Sequence, residues 1–518
     1  MKKILLLPLL AICLMQVSCK SPRAATAALN DDGSFHLTIV QINDVYEIAP
    51  LEGGNTGGMA RVATLKKQYL RSNPNTLLLM AGDFVSPSIY NSLKFEGRRI
   101  RGQQMIESMN AAGTDIAVFG NHEFDITESE LQSRLNESTF QWVASNSFHK
   151  SGDAVFPFVK KTDTITQALP QTLIKTFRDA DGTEARIGFI GLTQAFNKAS
   201  YVSYTDPFTT AETLYNRLKD SCDAVIAITH QQISDDSILA RRLPNLALIV
   251  GGHEHDMRFK KVGGVLITKA HSNARSAYVI DLQLIKKEHA VSVTPTLKFL
   301  DQSVAYDPAT DSIVKKWTAI ADKSYASLGF NAGKVLLTSG APLEAREVLI
   351  RKAPTNFSKL IVAAIKQAVP AADVALLNAG SIRVDDVLQP PVTQYDILRS
   401  LPFGGGIAEA DMKGRLLIEI LEAGRTNIGT GGFLHYPESV RYNETAKRWL
   451  VNEQAIDTAT VYKVALPEFL MTGGEANMGF LTKDNPGVVK FYPAVTTVAD
   501  ARSDIRLAII RYMEKTTR

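Results

Sequence analysis

Cysteine is nearly absent: three in 518 residues, at Cys13, Cys19 and Cys222. Cys13 sits in an apolar leader and Cys19 at its end, so only Cys222 remains for the body of the chain and a disulfide framework is excluded. Charge of one sign is lacking too. The net formal charge is +4, and two of those charges are Lys2 and Lys3 of the leader, which leaves too weak a field to gather a nucleic acid. No low-complexity tract and no internal repeat are present. At 45% hydrophobic and 21% charged residues, the chain is too apolar for disorder and too long for one ordinary core, so two domains are expected.

The first segment is an export signal. Lys2-Lys3 precede an apolar run from Ile4 to Val17, shorter than the roughly 20 residues of a membrane-spanning helix. The run ends in Val17-Ser18-Cys19, as bacterial lipoprotein signals do, with the cysteine lipidated as the new N-terminus. A plain cleaved signal is the alternative. The expected partition is a lipoprotein signal at 1–18, a tether at 19–34, and anchorage to the cell envelope through Cys19.

From Leu37 onward, β-branched runs alternate with helical spacing: Leu37 to Ile42, Thr76 to Met80, Asp115 to Phe119, Ile187 to Leu192, Ala224 to Thr229 and Leu246 to Val250. This is α/β patterning. Polar residues of chemical interest follow most of these runs, where open α/β sheets place their ligand loops. After Ile280 to Leu284 and Thr294 to Leu300, Ile313, Trp317 and Ile320 mark a helix over Asp307 to Tyr325, and a new pattern with glycine-rich turns begins beyond it.

Five segments carry the chemistry: Asn43-Asp44, Gly82-Asp83, Gly120-Asn121-His122-Glu123-Phe124-Asp125, Thr229-His230 and Gly251-Gly252-His253-Glu254-His255. Singly, each has an ordinary reading: a turn aspartate, a buried histidine, a helix-capping asparagine. Together they hold four of the nine histidines, each set after an expected strand. Carboxylates, an amide and imidazoles without cysteine suit two divalent cations such as Mn, Zn, Co or Fe rather than a structural zinc cage. His253 and His255 share a side if their segment is extended. A bridging carboxylate, for which Asp83 is the candidate, would hold two cations so that a shared hydroxide attacks phosphorus in line. His122 would serve the developing charge or leaving oxygen, with Asp125 orienting its imidazole.

These residues resemble the calcineurin-type metallophosphoesterases and, more narrowly, the 5'-nucleotidase family. Gly57-Gly58-Met59-Ala60-Arg61, Asn378-Ala379-Gly380-Ser381-Ile382-Arg383 and Pro402-Phe403-Gly404 extend the likeness over nearly the whole mature chain. The resemblance implies a four-layer αββα metallophosphoesterase sandwich over 35–305, a linker helix over 306–328, and a smaller α/β substrate-binding domain over 329–518. It implies one cation on Asp44, Asp83 and His255, another on Asp83, Asn121, His230 and His253, and the pair His122 and Asp125 in catalysis. Asn378, Gly380, Arg383, Phe403, Phe480 and Arg351 would contact the nucleotide, and a hinge rotation would carry it to the metals.

Three positions depart from the family pattern. Asp44-Val45-Tyr46 stands where Asp-x-His is usual, with His255 as the compensating nitrogen. Gly473-Gly474-Glu475-Ala476-Asn477 lacks the second stacking ring, for which Phe480 is the nearest candidate, and Arg351 is out of register by about two residues. The activity implied is hydrolysis of nucleotide phosphate esters. Phosphodiester or pyrophosphate cleavage of cyclic nucleotides or nucleotide sugars is the alternative, and a binding protein with a lapsed metal site is a further one.

Overall fold

The computed structural model describes residues 31–195 and 199–516; the leader and Cys19 lie outside the described residues. Two six-stranded sheets form the first domain. One runs in the order Ala290–Phe299, Ser276–Ile285, Ser34–Ile42, Thr76–Met80, Ile116–Ala117, Gln141–Trp142, and the other in the order Thr172–Arg178, Glu184–Thr193, Ala224–His230, Leu248–Gly252, Val265–Lys269, Arg258–Val262. The strands that carry the site are parallel to one another within each sheet.

Alternation along each strand builds the layers. Phe35, Leu37, Ile39, Leu77 and Leu79 of one sheet meet Ile187, Phe189, Ile226, Ile228 and Val250 of the other in a shared core. The residues between them face outward: Val40, Ile42, Leu78 and Met80 pack with helices Met59–Ser72 and Gln103–Ala112. On the far side, Ile190, Leu192, Val225 and Ile249 pack with helices Pro207–Leu218 and Ile233–Arg242. Helix, sheet, sheet and helix therefore stack in four layers. Burial on both faces is why Thr76–Met80 and Ala224–His230 read as continuous apolar runs rather than alternating ones.

Helix Pro308–Ser327 starts at Asp307, whose carboxylate accepts the Thr310 backbone N–H at 3.0 Å, with Pro308 in the first turn. It does not stand free between domains. Trp317 is fully buried, its indole N–H bonded to Glu107 at 2.6 Å, and the helix lies on Met59–Ser72 and Gln103–Ala112. From Trp317 and Tyr325 one apolar cluster continues through Phe330 into Phe357, Ile361 and Ile509 of the second domain. That domain has a four-stranded sheet in the order Val374–Ala375, Val461–Pro467, Ile407–Lys413, Val488–Tyr492 and its own core around Leu417, Ile420 and Leu466.

Candidate metal centre and interdomain cleft

Each candidate ligand leaves the end of a strand. Asp44 follows Ser34–Ile42, Asp83 follows Thr76–Met80, Asn121 follows Ile116–Ala117, and His230 closes Ala224–His230. His253 and His255 follow Leu248–Gly252 in a turn, not in an extended segment: their φ angles are 98° and 62°. Strand alternation therefore does not govern which way the two rings point. Asp44 and Asp83 are left-handed as well, at 52° and 56°. Such φ values cost non-glycine residues on the order of 1–3 kcal/mol each and persist where packing over-determines them. At Gly120 a side chain is excluded outright, because a Cβ there would fall 2.1 Å from Asp83 Oδ1.

The ligand atoms converge. Asp83, His230 and His253 form one group and Asp44, Asp83 and His255 another, each with one ligand atom per residue within 4.8 Å of the others, and both groups share Asp83. His230 Nδ1 lies 2.8 Å from the Ala81 carbonyl, an acceptor only, so Nδ1 carries the proton and Nε2 faces Asp83 Oδ2 at 3.0 Å. Asp44 Oδ1, Asn121 Oδ1 and His230 Nε2 are buried with no hydrogen-bond partner. Orphaned acceptor atoms of this kind, converging from three loops, fit divalent cations, since buried polar atoms otherwise find partners.

Electrostatics follow from the crowding. Burial opposes ionisation of Asp83, yet the His230 and His122 charges hold its carboxyl well below the ordinary range. Burial lowers His230, but Asp83 and Asp44 outweigh it and raise it to about 10, whereas burial and the charge of His230 pull His253 down to about 3. His122 Nδ1 lies 2.6 Å from Asp125 Oδ2, and its backbone N–H donates to Asp83 Oδ1 at 2.8 Å.

Tyr46 occupies the centre itself. Its hydroxyl stands 3.1 Å from Asp83 Oδ2 and 2.9 Å from His255 Nε2. Burial and the neighbouring Asp83 and Asp44 push its pKa well above 10, so the group is a neutral phenol whose single proton serves one of the two.

A cleft of about 550 Å³ opens over this centre, lined on one side by Asp83, Asn121, His122, His253 and His255 and on the other by Arg346, Arg351, Arg383 and Asp385. Asp385 reaches across: its carbonyl accepts from His255 Nδ1 at 3.1 Å. Arg383 Nη2 is 4.0 Å from Asp125 Oδ2, and its guanidinium lies 6.0 Å from the Phe403 ring centroid. Phe403 is 68% exposed, free to meet a flat ligand. Arg351 lines the cleft with its Nη1 on Glu347 at 2.6 Å.

Other expected contacts lie elsewhere. Phe480 packs half-buried against the second-domain core and does not line the cleft beside Phe403, because its neighbours Met478 and Leu481 anchor that segment inward. Asn378 is 2% exposed and spent on Glu475 and Ser381, at 2.7 and 2.6 Å, and Gly380 bonds the Gly431 carbonyl at 2.8 Å. Both shape the loop before Arg383.

Several positioning groups escaped the sequence reading. Glu123, fully buried, accepts the backbone N–H groups of Asp83, Phe84, Val85 and Gly120 at 2.9, 2.7, 3.0 and 2.5 Å, clamping two ligand loops together. Burial, with Asp83 nearby, raises its pKa to about 7 against those donors. Its place inside a ligand segment was the available signal. Lys269, 1% exposed, bonds the Gln231 and Gly252 carbonyls at 2.6 and 2.8 Å and pairs with Asp236 and Glu254 at 2.8 and 2.6 Å. A lysine ending an apolar strand gave no signal at all.

The family model for calcineurin-like phosphoesterases matches residues 37–257, and that for the 5'-nucleotidase C-terminal domain matches residues 336–482. Among curated proteins, the protein UshA of Yersinia enterocolitica is 25% identical over 512 residues, covering 86% of this chain and 87% of that protein. The 5'-nucleotidase of Homo sapiens is 23% identical over 508 residues, covering 86% and 84%. Among solved structures, a 5'-nucleotidase precursor from Thermus thermophilus shares the fold at a TM-score of 0.65 with 21% identity, over 93% of this chain and 97% of that one.

Proposed function

We propose that this chain, which belongs to the 5'-nucleotidase family of calcineurin-like metallophosphoesterases, hydrolyses nucleotide phosphate monoesters between its two domains, with the phosphate over Asp83 and the nucleoside toward Phe403. The observation that carries this reading is a pair of ligand groups sharing Asp83 at the floor of a cleft whose opposite wall bears Arg346, Arg351 and Arg383. Two divalent cations on Asp44, Asp83, Asn121, His230, His253 and His255 would supply the activated water and neutralise phosphoryl charge.

The remaining work falls to the chain's own groups. Asp125 holds His122 through Nδ1, which leaves Nε2 to give or take a proton at the ester oxygen. Arg383, next to Asp125, reaches the phosphoryl oxygens or the ribose, and its planar fork suits an acceptor-rich ester. Phe403 offers one face for a base. The leader with Lys2-Lys3 and the Val17-Ser18-Cys19 end supports export and lipid anchorage at the cell envelope.

The test is phosphate release from nucleoside monophosphates, nucleotide sugars and cyclic nucleotides by chelated protein, before and after Mn, Co, Zn or Mg is restored. Release from monophosphates should vanish on chelation and return with metal, and Asp83→Asn should lower it by more than about 100-fold. Full activity in Asp83→Asn would remove the shared ligand from the scheme.

A further inference from the structure

A second cleft, of about 480 Å³, adjoins the first at Pro87 and Arg383. Its first-domain wall comes from the segment after the Asp83 loop: Ser86, Ser88, Asn91 and Ser92, then Arg99 and Arg101. The opposite wall holds Arg383 and Phe403, and Asp125 lies at the junction. Nothing in the hydrolysis scheme uses the first-domain wall.

Several features mark it as built. Asn91 is only 7% exposed, yet both its amide oxygen and its amide nitrogen lack a hydrogen-bond partner. Buried amides otherwise find partners, so this one is out of the ordinary. Arg101 adopts a left-handed φ of 42°, which non-glycine residues rarely take, and its Nε is buried without a hydrogen bond, 3.5 Å from Glu130 Oε1. Arg99 ends a short hairpin, Lys94–Phe95 with Arg98–Arg99, turned at Gly97 (φ 80°), which sets its guanidinium on the rim.

The chemistry of the lining selects among ligands. The lining sets three arginines against one carboxylate, Asp125, which His122 already engages at 2.6 Å, and outside it only Arg101 meets a second one, Glu130, at 3.5 Å among the described residues. Ser86 adds a hydroxyl, whereas those of Ser88 and Ser92 turn to Glu47 and the Ile89 carbonyl at 3.4 Å each. Among the described residues of the lining Phe403 is the only aromatic ring, so a base is not sandwiched there. Many donors and a net positive wall suit a group made almost wholly of acceptors, and guanidinium forks match phosphate oxygens two at a time.

We propose that this cleft is a second phosphate subsite, which receives a phosphoryl group carried by the leaving half of the substrate. It rests on the hydrolysis reading and narrows it: nucleotides bearing a phosphoryl group besides the scissile one, such as nucleoside 3',5'-bisphosphates, are preferred over simple 5'-monophosphates.

The experiment compares adenosine 3',5'-bisphosphate with adenosine 5'-monophosphate in two measurements on the wild type, Arg99→Ala and Arg101→Gln. Calorimetric binding to chelated protein, where turnover is stopped, should favour the bisphosphate by about tenfold, and each variant should shrink that ratio toward one. Arg99 is exposed, so its variant is expected to fold. Phosphate release with metal restored should show the same ratio in kcat/KM. Equal binding of the two by the wild type, or a preference that survives both substitutions, overturns the subsite. Preferential binding without release from either compound keeps the subsite and removes the hydrolase reading, whereas release at equal efficiency with equal binding does the reverse.

Discussion

Tyr46 stands where the family resemblance implies a histidine. The phenol lies between Asp83 and His255, two residues that would share a cation, and its high pKa keeps it protonated while the site is metal-free. A neutral phenol is a weak ligand where an imidazole would be a good one. Tyr46→His is therefore expected to lower the free Mn needed for half-maximal phosphate release by about tenfold. An unchanged or higher requirement would show that the phenol already serves the metal as phenolate. The motif Asp44-Val45-Tyr46 made the substitution legible in the sequence. That the hydroxyl lies within reach of both Asp83 and His255 was not, because folding alone brings them to it.

At the scale of the element, the turn His253-Glu254-His255 shows what strand patterning gives and what it withholds. The apolar run Leu246 to Val250 located the strand, and the histidines after it located ligands. Their orientation, however, depends on two left-handed residues held from below by Lys269, through Glu254 and the Gly252 carbonyl. Burial works against the charge on Lys269, but Asp236 and Glu254 raise its pKa and keep it charged. Lys269→Met leaves two buried carboxylates without their cation, which costs about 3–5 kcal/mol. Urea unfolding should shift down accordingly, and metal affinity should fall by about 10–100-fold as the turn loosens. A variant that unfolds at the wild-type urea concentration and binds metal normally would show that the ammonium does not hold the turn.

For the molecule as a whole, the joint between domains is apolar from Trp317 to Phe357 but polar and titratable elsewhere. Tyr395 of the second domain donates to Glu47 of the first at 2.6 Å, and Arg275 of the first pairs with Asp386 of the second at 2.6 Å. Burial raises the Glu47 pKa from 4.5 to about 7, against the lowering effect of Tyr395 and Arg399. A group whose folded pKa is raised binds its proton more tightly when folded. Its contribution is complete below about 4.5 and is lost as pH rises through about 7. The difference is worth roughly 3 kcal/mol. Between pH 5 and pH 8 at constant metal, the wild type should lose more thermal stability than Glu47→Gln, and parallel curves for the two would show that Glu47 does not titrate in this interval.

The sequence by itself determined the α/β class, the strands that end in candidate ligands, and the set of oxygens and imidazoles proposed to hold metal, because a parallel sheet buried on both faces imposes its period and places its loops at the strand ends. The family resemblance pointed to Arg383 and Phe403, which the fold sets on one cleft wall. Tertiary structure alone decided which of those side chains meet. Phe480 turned into a core, Asn378 was spent on Glu475, and Asp385 came to His255 across the cleft. Glu123 and Lys269 acquired their roles from loops far apart in the chain, since a buried charge takes its meaning from the partners that folding places around it.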